Sequence, residues 1–493
     1  MAVQLLKRFP IAAHPRKFSP IFFSSYSSPP DEASATQSLV ANVVSILTHN
    51  RSKSRWNQLH SLYPNGFDPI EFSEITVQLK NNPHLALRFF LWTQNKSLCN
   101  HNLLSYSTIT HILARGRLKT HAQNVIKTAI RASELKEPGE DYLKSTPLKV
   151  FETLVKTYRH CGSAPFVFDL LIKSCLESRK IDPSIEIVRM LLSRGISPKV
   201  STLNSLIYRV CRSRGAEAAY AIYREFFLLD EGSQQNLKRG FRVSPNVHTY
   251  NVFMVCYYQE GFVEKVKEIW HEMVEHNCAP SAYSYSVLMS AFCEEGNMED
   301  VEKLWVEMRN KEMKPDVMNY NIIIGGLCKI GDIVRAEEFF REMTLSGVES
   351  AATTHEHLIK GYCNIGDVKS ALLVYKDMYR KGFRPEDSTL DLMIKLMCDK
   401  DKVHEALEIL RNAMDKFDLF PKEKGYEALV KGLCNEGRME EALKLQAEMV
   451  GKGFQPNSEI YGAFIDAYVR QGNEEVAEAL RKEMLQIQSQ SLS

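Results

Sequence analysis

Between Ala282 and Asp316 the apolar residues Tyr285, Leu288, Met289, Phe292 and Cys293 fall at i, i+3, i+4, i+7 and i+8, one face of a helix. Gly296 closes that stretch; glycine enters the left-handed conformation of a helix C-terminus at least cost, so a turn is predicted there. Periodicity resumes with Val301, Leu304, Trp305 and Met308 and stops before Pro315. The following segment repeats the scheme with Tyr320, Ile323, Ile324, Leu327 and Cys328, then Ala336, Phe339, Phe340 and Met343. Each segment predicts a helix-turn-helix unit.

The cysteines alone establish the period. Cys293, Cys328, Cys363 and Cys398 are 35 residues apart, Cys434 follows after 36, and Cys211 fits once an insertion is allowed. Metal and redox cysteines cluster as C-x-x-C, which occurs nowhere in the chain, so these thiols are one structural position read repeatedly. Glycines 261, 296, 331, 366, 437 and 472, methionines 273, 308, 343, 378, 449 and 484, and prolines 198, 245, 280, 315, 385, 421 and 456 keep the same step. Neither helix of a unit carries enough apolar surface for a core, so neighbours must stack into an α-solenoid. A 35-residue step excludes the 34-residue tetratricopeptide unit and the longer HEAT and armadillo units.

The unit opening Val247-His248-Thr249-Tyr250-Asn251, with Gly261, Met273 and Pro280-Ser281, resembles a pentatricopeptide repeat. So does Val317-Met318-Asn319-Tyr320-Asn321, continuing Gly326-Leu327-Cys328-Lys329. The uniform spacing resembles the P-type subclass of the plant organellar family, and Asn82-Pro83-His84 through Trp92 resembles the degenerate entry helix of its plant members. The expected fold is all-α, a right-handed α-solenoid superhelix of stacked helix-turn-helix 35-residue repeats. Residues 1–30 are expected to be a disordered transit peptide, 31–102 a degenerate helical region, and 103–164 degenerate repeats with a shortened unit. The repeat array would occupy 165–493, with units starting at 165, 200, 247, 282, 317, 352, 387, 423 and 458. Within 138–164 one helix is expected, from Val150 to Arg159, and the 200 unit carries about a dozen extra residues around Asp230-Glu231-Gly232-Ser233, read as a surface loop.

Composition sharpens this at the amino terminus. Lys7, Arg8, Arg16 and Lys17 precede the first acidic residue, Asp31, and the segment ends in a serine cluster, as in a transit peptide. Arg16-Lys17-Phe18-Ser19 resembles a mitochondrial processing site, so mitochondrion is favoured over chloroplast. The chain's formal charge of +2 becomes −2 without those four cations. Binding to RNA would then depend on local placement of charge rather than on net field. No stretch approaches the roughly 18 to 20 apolar residues of a membrane span, and no membrane partner is expected.

The resemblance implies single-stranded organellar RNA as partner, one base per unit, with the fifth and last residues of each unit reading the base and the second packing on its face. By position Asn204 pairs with Asn246, Asn251 with Ser281, and Ser286 with Asp316, which implies a pyrimidine, cytosine and a purine, read 5′ to 3′. Asn suits the fifth position because its amide both donates and accepts. The second-position packers would be Ser201, His248, Tyr283 and Met318, and Asn321, paired with Ala351, continues the column. Beyond it the fifth positions become Glu356, Asp391, Glu427 and Gly462. Successive carboxylates lower the potential a phosphate strand needs, which makes the C-terminal repeats a structural extension or a protein-binding surface.

No catalytic constellation is visible. The H-x-E and C-x-x-C of a zinc deaminase and the G-x-x-x-x-G-K of a phosphate loop are missing, and His355-Glu356-His357 places its imidazoles on different helix faces. No metal or cofactor is expected. Lys265, Lys267, Arg309 and Lys311 read as a solvated outer face, and Trp270 and Trp305 as core. Two functional classes follow: a monomeric, sequence-selective RNA-binding protein acting sterically in processing, stability, splicing or translation, or a scaffold, such as a mitochondrial ribosome component, that contacts protein or structured RNA without reading bases.

Overall fold

A computed structural model describes residues 30–49, 52–134, 140–227 and 243–490. The expected leader, apart from Pro30, and the insertion at Asp230-Glu231-Gly232-Ser233 lie outside the described residues. Among the described residues there are 25 helices and no strand, and no helix is long and apolar enough to cross a membrane. The chain divides into two compact units, residues 1–202 and 203–493.

In the first unit, residues 31–102 resolve into four helices, Pro30–His49, Ser52–Leu62, Pro69–Gln78 and Pro83–Asn95. Two of them start where local chemistry dictates. Asp68 and Glu71 form a capping box ahead of Pro69, and Asn82 accepts from the Leu85 amide at 3.1 Å ahead of Pro83. Phe72 and Phe89 stack at 5.3 Å between the last two of the four. Pro69–Gln78 then packs on Leu103–Arg115, the first helix of the pair completed by Lys119–Glu134.

The single helix expected at Val150 to Arg159 runs instead from Glu140 to Thr157. Pro147 lies inside it; a residue without an amide donor reads as a boundary from sequence, yet the helix passes through. His111 ties this helix to Leu103–Arg115, its Nε2 lying 3.0 Å from both the Leu154 carbonyl and Thr157 Oγ1. Next, Phe166–Glu177 packs against Lys119–Glu134, where Lys127 and Glu177 pair at 2.5 Å, so it does not follow the first-helix-on-first-helix stacking found further along.

The second unit carries the regular array. Its pairs are Val200–Arg214 with Ala216–Phe226, Val247–Gln259 with Val263–Glu275, Ala282–Glu294 with Met298–Asn310, and Val317–Ile330 with Ile333–Leu345. They continue as Ala352–Ile365 with Val368–Arg380, Asp387–Asp399 with Val403–Phe417, Glu423–Asn435 with Met439–Gly451, and Ser458–Arg470 with Glu474–Gln490. The glycine column does what its spacing predicts: Gly331 and Gly366 cap their helices at φ 86° and 79°. In the 387 unit that column has no glycine, and Asp401 takes the left-handed turn at φ 57°.

Two columns hold the pairs together. In the 282, 317, 352, 423 and 458 units the fourth residue of the first helix is a buried aromatic whose polar tip needs a partner, and the second helix supplies a carboxylate 22 residues later. Tyr285 donates to Glu307 at 2.7 Å, Tyr426 to Glu448 at 2.9 Å, Tyr461 to Glu483 at 3.1 Å, and His355 Nε2 meets Asp377 at 3.0 Å. Trp270 and Trp305 are buried and meet the next unit's Tyr285 and Tyr320 edge-on, each at 4.9 Å.

The repeated cysteine explains how neighbouring units approach. A Cβ placed on Gly326 would lie 2.7 Å from Cys293 Sγ, one on Gly361 2.8 Å from Cys328 Sγ, and one on Gly432 3.4 Å from Cys398 Sγ. Each thiol thus faces the tenth residue of the following unit. First helices pack more extensively where that residue is Gly361 or Gly432 than where it is Leu396. Burial pushes the Cys293, Cys328 and Cys398 thiols up to about 12, so they are inert packing groups at neutral pH.

Candidate functional site

From the 200 to the 423 unit the fifth residue of the first helix is held by the amino terminus of the next unit, and as far as the 352 unit the third residue of that next helix takes part in the holding. Thr249, Ser284, Asn319, Thr354 and Thr389 are fully buried polar groups at this third position. The first four complete the cap of their own helix by accepting from the backbone N–H of Asn246, Ser281, Asp316 and Ala351. All five also reach back to the preceding unit.

Asn204 Nδ2 donates to Asn246 Oδ1 at 3.2 Å, and its Oδ1 accepts from Thr249 Oγ1 at 2.8 Å. Asn251 repeats this with Ser281 at 3.4 Å and Ser284 at 2.7 Å. Ser286 is reached by Asn319 Nδ2 at 2.7 Å rather than by Asp316 directly; Asp316 acts through Asn319, whose amide it caps at 3.0 Å. Asn321, whose own partner Ala351 has no polar side chain, is held by Thr353 at 2.7 Å and Thr354 at 2.6 Å.

An amide has two N–H donors and two acceptor sites on oxygen, so Asn251 and Asn321 each keep one donor and one acceptor. Ser286 spends its proton on the Ala282 carbonyl at 3.0 Å and accepts from Asn319, leaving one lone pair. The columns differ in access: Asn204, Asn251 and Ser286 are buried, whereas His248, Tyr283, Met318 and Asp316 are exposed and Asn246, Ser281 and Asn321 lie between. Met318 and Asn321 line a groove of about 670 Å³ with Ser290, Gly325, His357 and Lys360.

The carboxylates that replace the amides do not project freely. Glu356 accepts from the Glu386 amide at 2.7 Å and from the Thr389 hydroxyl, Asp391 from the Lys422 amide at 3.0 Å, and Glu427 from Asn457 Nδ2 at 3.0 Å. They use the same anchor as the amides: a backbone N–H takes the place of a side-chain partner at Glu356 and Asp391, while Glu427 is held by the Asn457 side chain. Burial raises the Glu356 and Asp391 carboxyls above the ordinary range. A Cβ on Gly425, at the third position of the 423 unit, would come within 2.3 Å of Asp391 Oδ1, which is why the hydroxyl column stops there.

His355, Glu356 and His357 go separate ways: His355 to Asp377, Glu356 to the 387 unit, and the His357 ring to Gly325, where a Cβ would lie 3.0 Å from it. Among the described residues no group of three His, Cys, Asp or Glu could hold a metal ion. Of the outer cations, Lys267 bridges to Glu295 of the next unit at 2.9 Å and Arg309 pairs with Glu342, so they link units.

Sequence reasoning missed the third-position column and the lysines four residues after each fifth-position acid. Both were legible as 35-residue periodicities in polar residues, the first as a chain of capping boxes.

Family models for the PPR repeat match residues 245–294 and 352–399, 311–344, and 283–313 and 426–454, and one for the pentatricopeptide repeat domain matches 444–487. The chain is 60% identical over 466 residues to a pentatricopeptide repeat-containing protein of Arabidopsis thaliana, covering 94% of this chain and 92% of that one. Two further Arabidopsis thaliana pentatricopeptide repeat-containing proteins, both named mitochondrial, are 24% and 25% identical over 42% and 44% of this chain, spanning 35% and 30% of their own lengths. Among solved structures it is similar to the maize pentatricopeptide repeat protein PPR10, with 14% identity, a TM-score of 0.33, and coverage of 92% of this chain and 84% of that one.

Proposed function

The chain belongs to the pentatricopeptide-repeat family, and from that premise we propose that it binds single-stranded RNA in the mitochondrion, reading bases with the units that open at 200, 247, 282 and 317. The observation that carries this reading is the anchored fifth-position column. Asn251 and Asn321 are oriented by the following unit and each retains one donor and one acceptor, the pair of groups a Watson–Crick edge requires. Anchoring before binding removes part of the ordering cost, and each amide that meets the wrong edge leaves a partly buried polar group unpaired.

The exposed second-position side chains Tyr283 and Met318 offer faces on which a base can pack, worth roughly 1 to 3 kcal/mol per aromatic contact. The mode of action proposed is occupancy: a bound segment is shielded from nucleases and held out of competing structure. The acid-free, arginine-bearing first thirty residues and the two relatives named mitochondrial support the location.

The test is to equilibrate the full chain with a randomised single-stranded RNA pool and sequence the retained fraction, beside Asn251→Ala combined with Ser286→Ala. A motif that loses its preference at two adjacent positions in the double variant is expected. Retention without a motif, or with one the double variant leaves intact, overturns base reading.

A further inference from the structure

The fifth-position acids are accompanied by a second periodic feature. Lys360, Lys395 and Lys431 each sit four residues after Glu356, Asp391 and Glu427, one helical turn along the same face, and are separated from one another by 35 and 36 residues. Lys360 Nζ lies 3.8 Å from Glu356 and 2.8 Å from Glu386. Lys431 Nζ lies 3.2 Å from Glu427 and 2.5 Å from Glu459. Lys395, exposed, is close enough to act on the Glu427 carboxylate of the following unit. In the 247, 282 and 317 units the same position holds Val255, Ser290 and Gly325, without charge. The lysines begin at the unit where the amides end.

We infer that Lys360, Lys395 and Lys431 form a track that holds the phosphates of an RNA strand as it leaves the base-reading units, extending the footprint over the 352, 387 and 423 units without reading sequence. This rests on the RNA-binding reading above and assigns the same partner a second mode of contact.

Three observations carry it. Lys360 lines the groove that also contains Met318 and Asn321, so the track is continuous with the reading column. One lysine per unit matches one phosphate per nucleotide if a unit advances by one base, a match a scattered charge distribution would not give. The acids beside the lysines are occupied: Glu356 is buried and receives two hydrogen bonds from the next unit, and Asp391 receives a backbone N–H. Glu427, beside Lys431 and 24% exposed, also receives Asn457 Nδ2 at 3.0 Å; the remaining partners, Glu386 and Glu459, have side chains 58% and 62% exposed, and ion pairs with such partners are weak enough for a phosphate to replace them. The C-terminal acids therefore do not close this face to RNA.

The experiment measures the salt dependence of binding of the full chain to an unstructured oligouridylate long enough to span all units, a probe that does not depend on base selection. Replacing the three lysines together, as Lys360→Gln, Lys395→Gln and Lys431→Gln, is expected to lower the slope of log K against log[salt] by about 2, near 0.7 per lost phosphate contact. Preferences recovered from the randomised pool should stay as in the parent protein. Glu386→Gln with Glu459→Gln releases two of the lysines and is expected to tighten binding severalfold. A matched triple on second helices, Lys303→Gln, Lys376→Gln and Lys444→Gln, controls for net charge. An unchanged slope in the first triple, or an equal fall in the control triple, overturns the track; loss of the pool motif alone overturns base reading and leaves the slope test standing.

Discussion

Gly361 and Gly462 both lie inside first helices, yet alanine should act on them in opposite directions. The intrinsic term is common to both: alanine in a helix interior is favoured over glycine by about 0.5 to 1 kcal/mol. At Gly462 nothing lies within 4 Å of the added Cβ, so Gly462→Ala should stabilise by that amount. At Gly361 the Cβ would sit 2.5 Å from Ile333 Cδ1 and 2.8 Å from both Cβ and Sγ of Cys328. The isoleucine tip can swing aside, but the Cys328 Cβ is fixed to its helix, so the helices Val317–Ile330 and Ala352–Ile365 must separate. Overpacking of this kind costs about 1 to 3 kcal/mol, so the two substitutions should differ by roughly that much.

Because a solenoid need not unfold as one cooperative body, amide hydrogen exchange resolved by helix is the suitable assay. Protection should fall in Val317–Ile330 and Ala352–Ile365 for Gly361→Ala and rise in Ser458–Arg470 for Gly462→Ala. Equal stabilisation by both would refute the claim that the thiol column sets the spacing of units through the glycine it faces.

Three further outcomes are expected. Ser284→Ala removes the hydroxyl that orients Asn251 Oδ1 and should relax base preference at that unit alone, with about 1 kcal/mol lost in affinity for the selected RNA, measured by titration. Burial depresses His101 and His111 to about 4 from 6.5, so the unfolded chain takes up protons first; stability present above pH 6.5 should be lost as pH falls towards 4, seen as declining exchange protection in Leu103–Arg115 and Glu140–Thr157. Glu356 has the opposite sign: its carboxyl is raised by burial, so its contribution is complete below about 4.5 and is lost as pH rises through the folded value. Glu356→Gln should remove that slope in pH-dependent urea denaturation, because the amide can accept from Glu386 and donate to Thr389.

Much of this molecule could be read from periodicity because a repeat multiplies weak local signals. The helix face at Tyr285, Leu288, Met289, Phe292 and Cys293, the stop at Gly296 and the return at Val301 to Met308 were legible in one unit and recurred in the next. Where the repeat lapses, so did the reading: the helix through Pro147 begins ten residues before the expected one, and Pro69–Gln78 had no counterpart in the pattern although Asp68 and Glu71 mark its start. The fifth-position column was found by spacing, but how the following unit holds Glu356, Asp391 and Glu427 was not. An acid in a sequence carries no indication of whether a backbone N–H from thirty residues away will meet it.

The sequence by itself therefore determined the all-helical class, the unit length, the turn positions and which residues share the candidate face, since each follows from contacts within a turn or two of helix. Only the tertiary structure decided how the units meet. Cys328 against Gly361 sets how closely first helices approach, and Thr249, Ser284, Asn319 and Thr354 aim the fifth-position side chains of the preceding unit. Those contacts join residues about 33 to 45 apart, and their distances depend on how two helices dock, which no local pattern specifies.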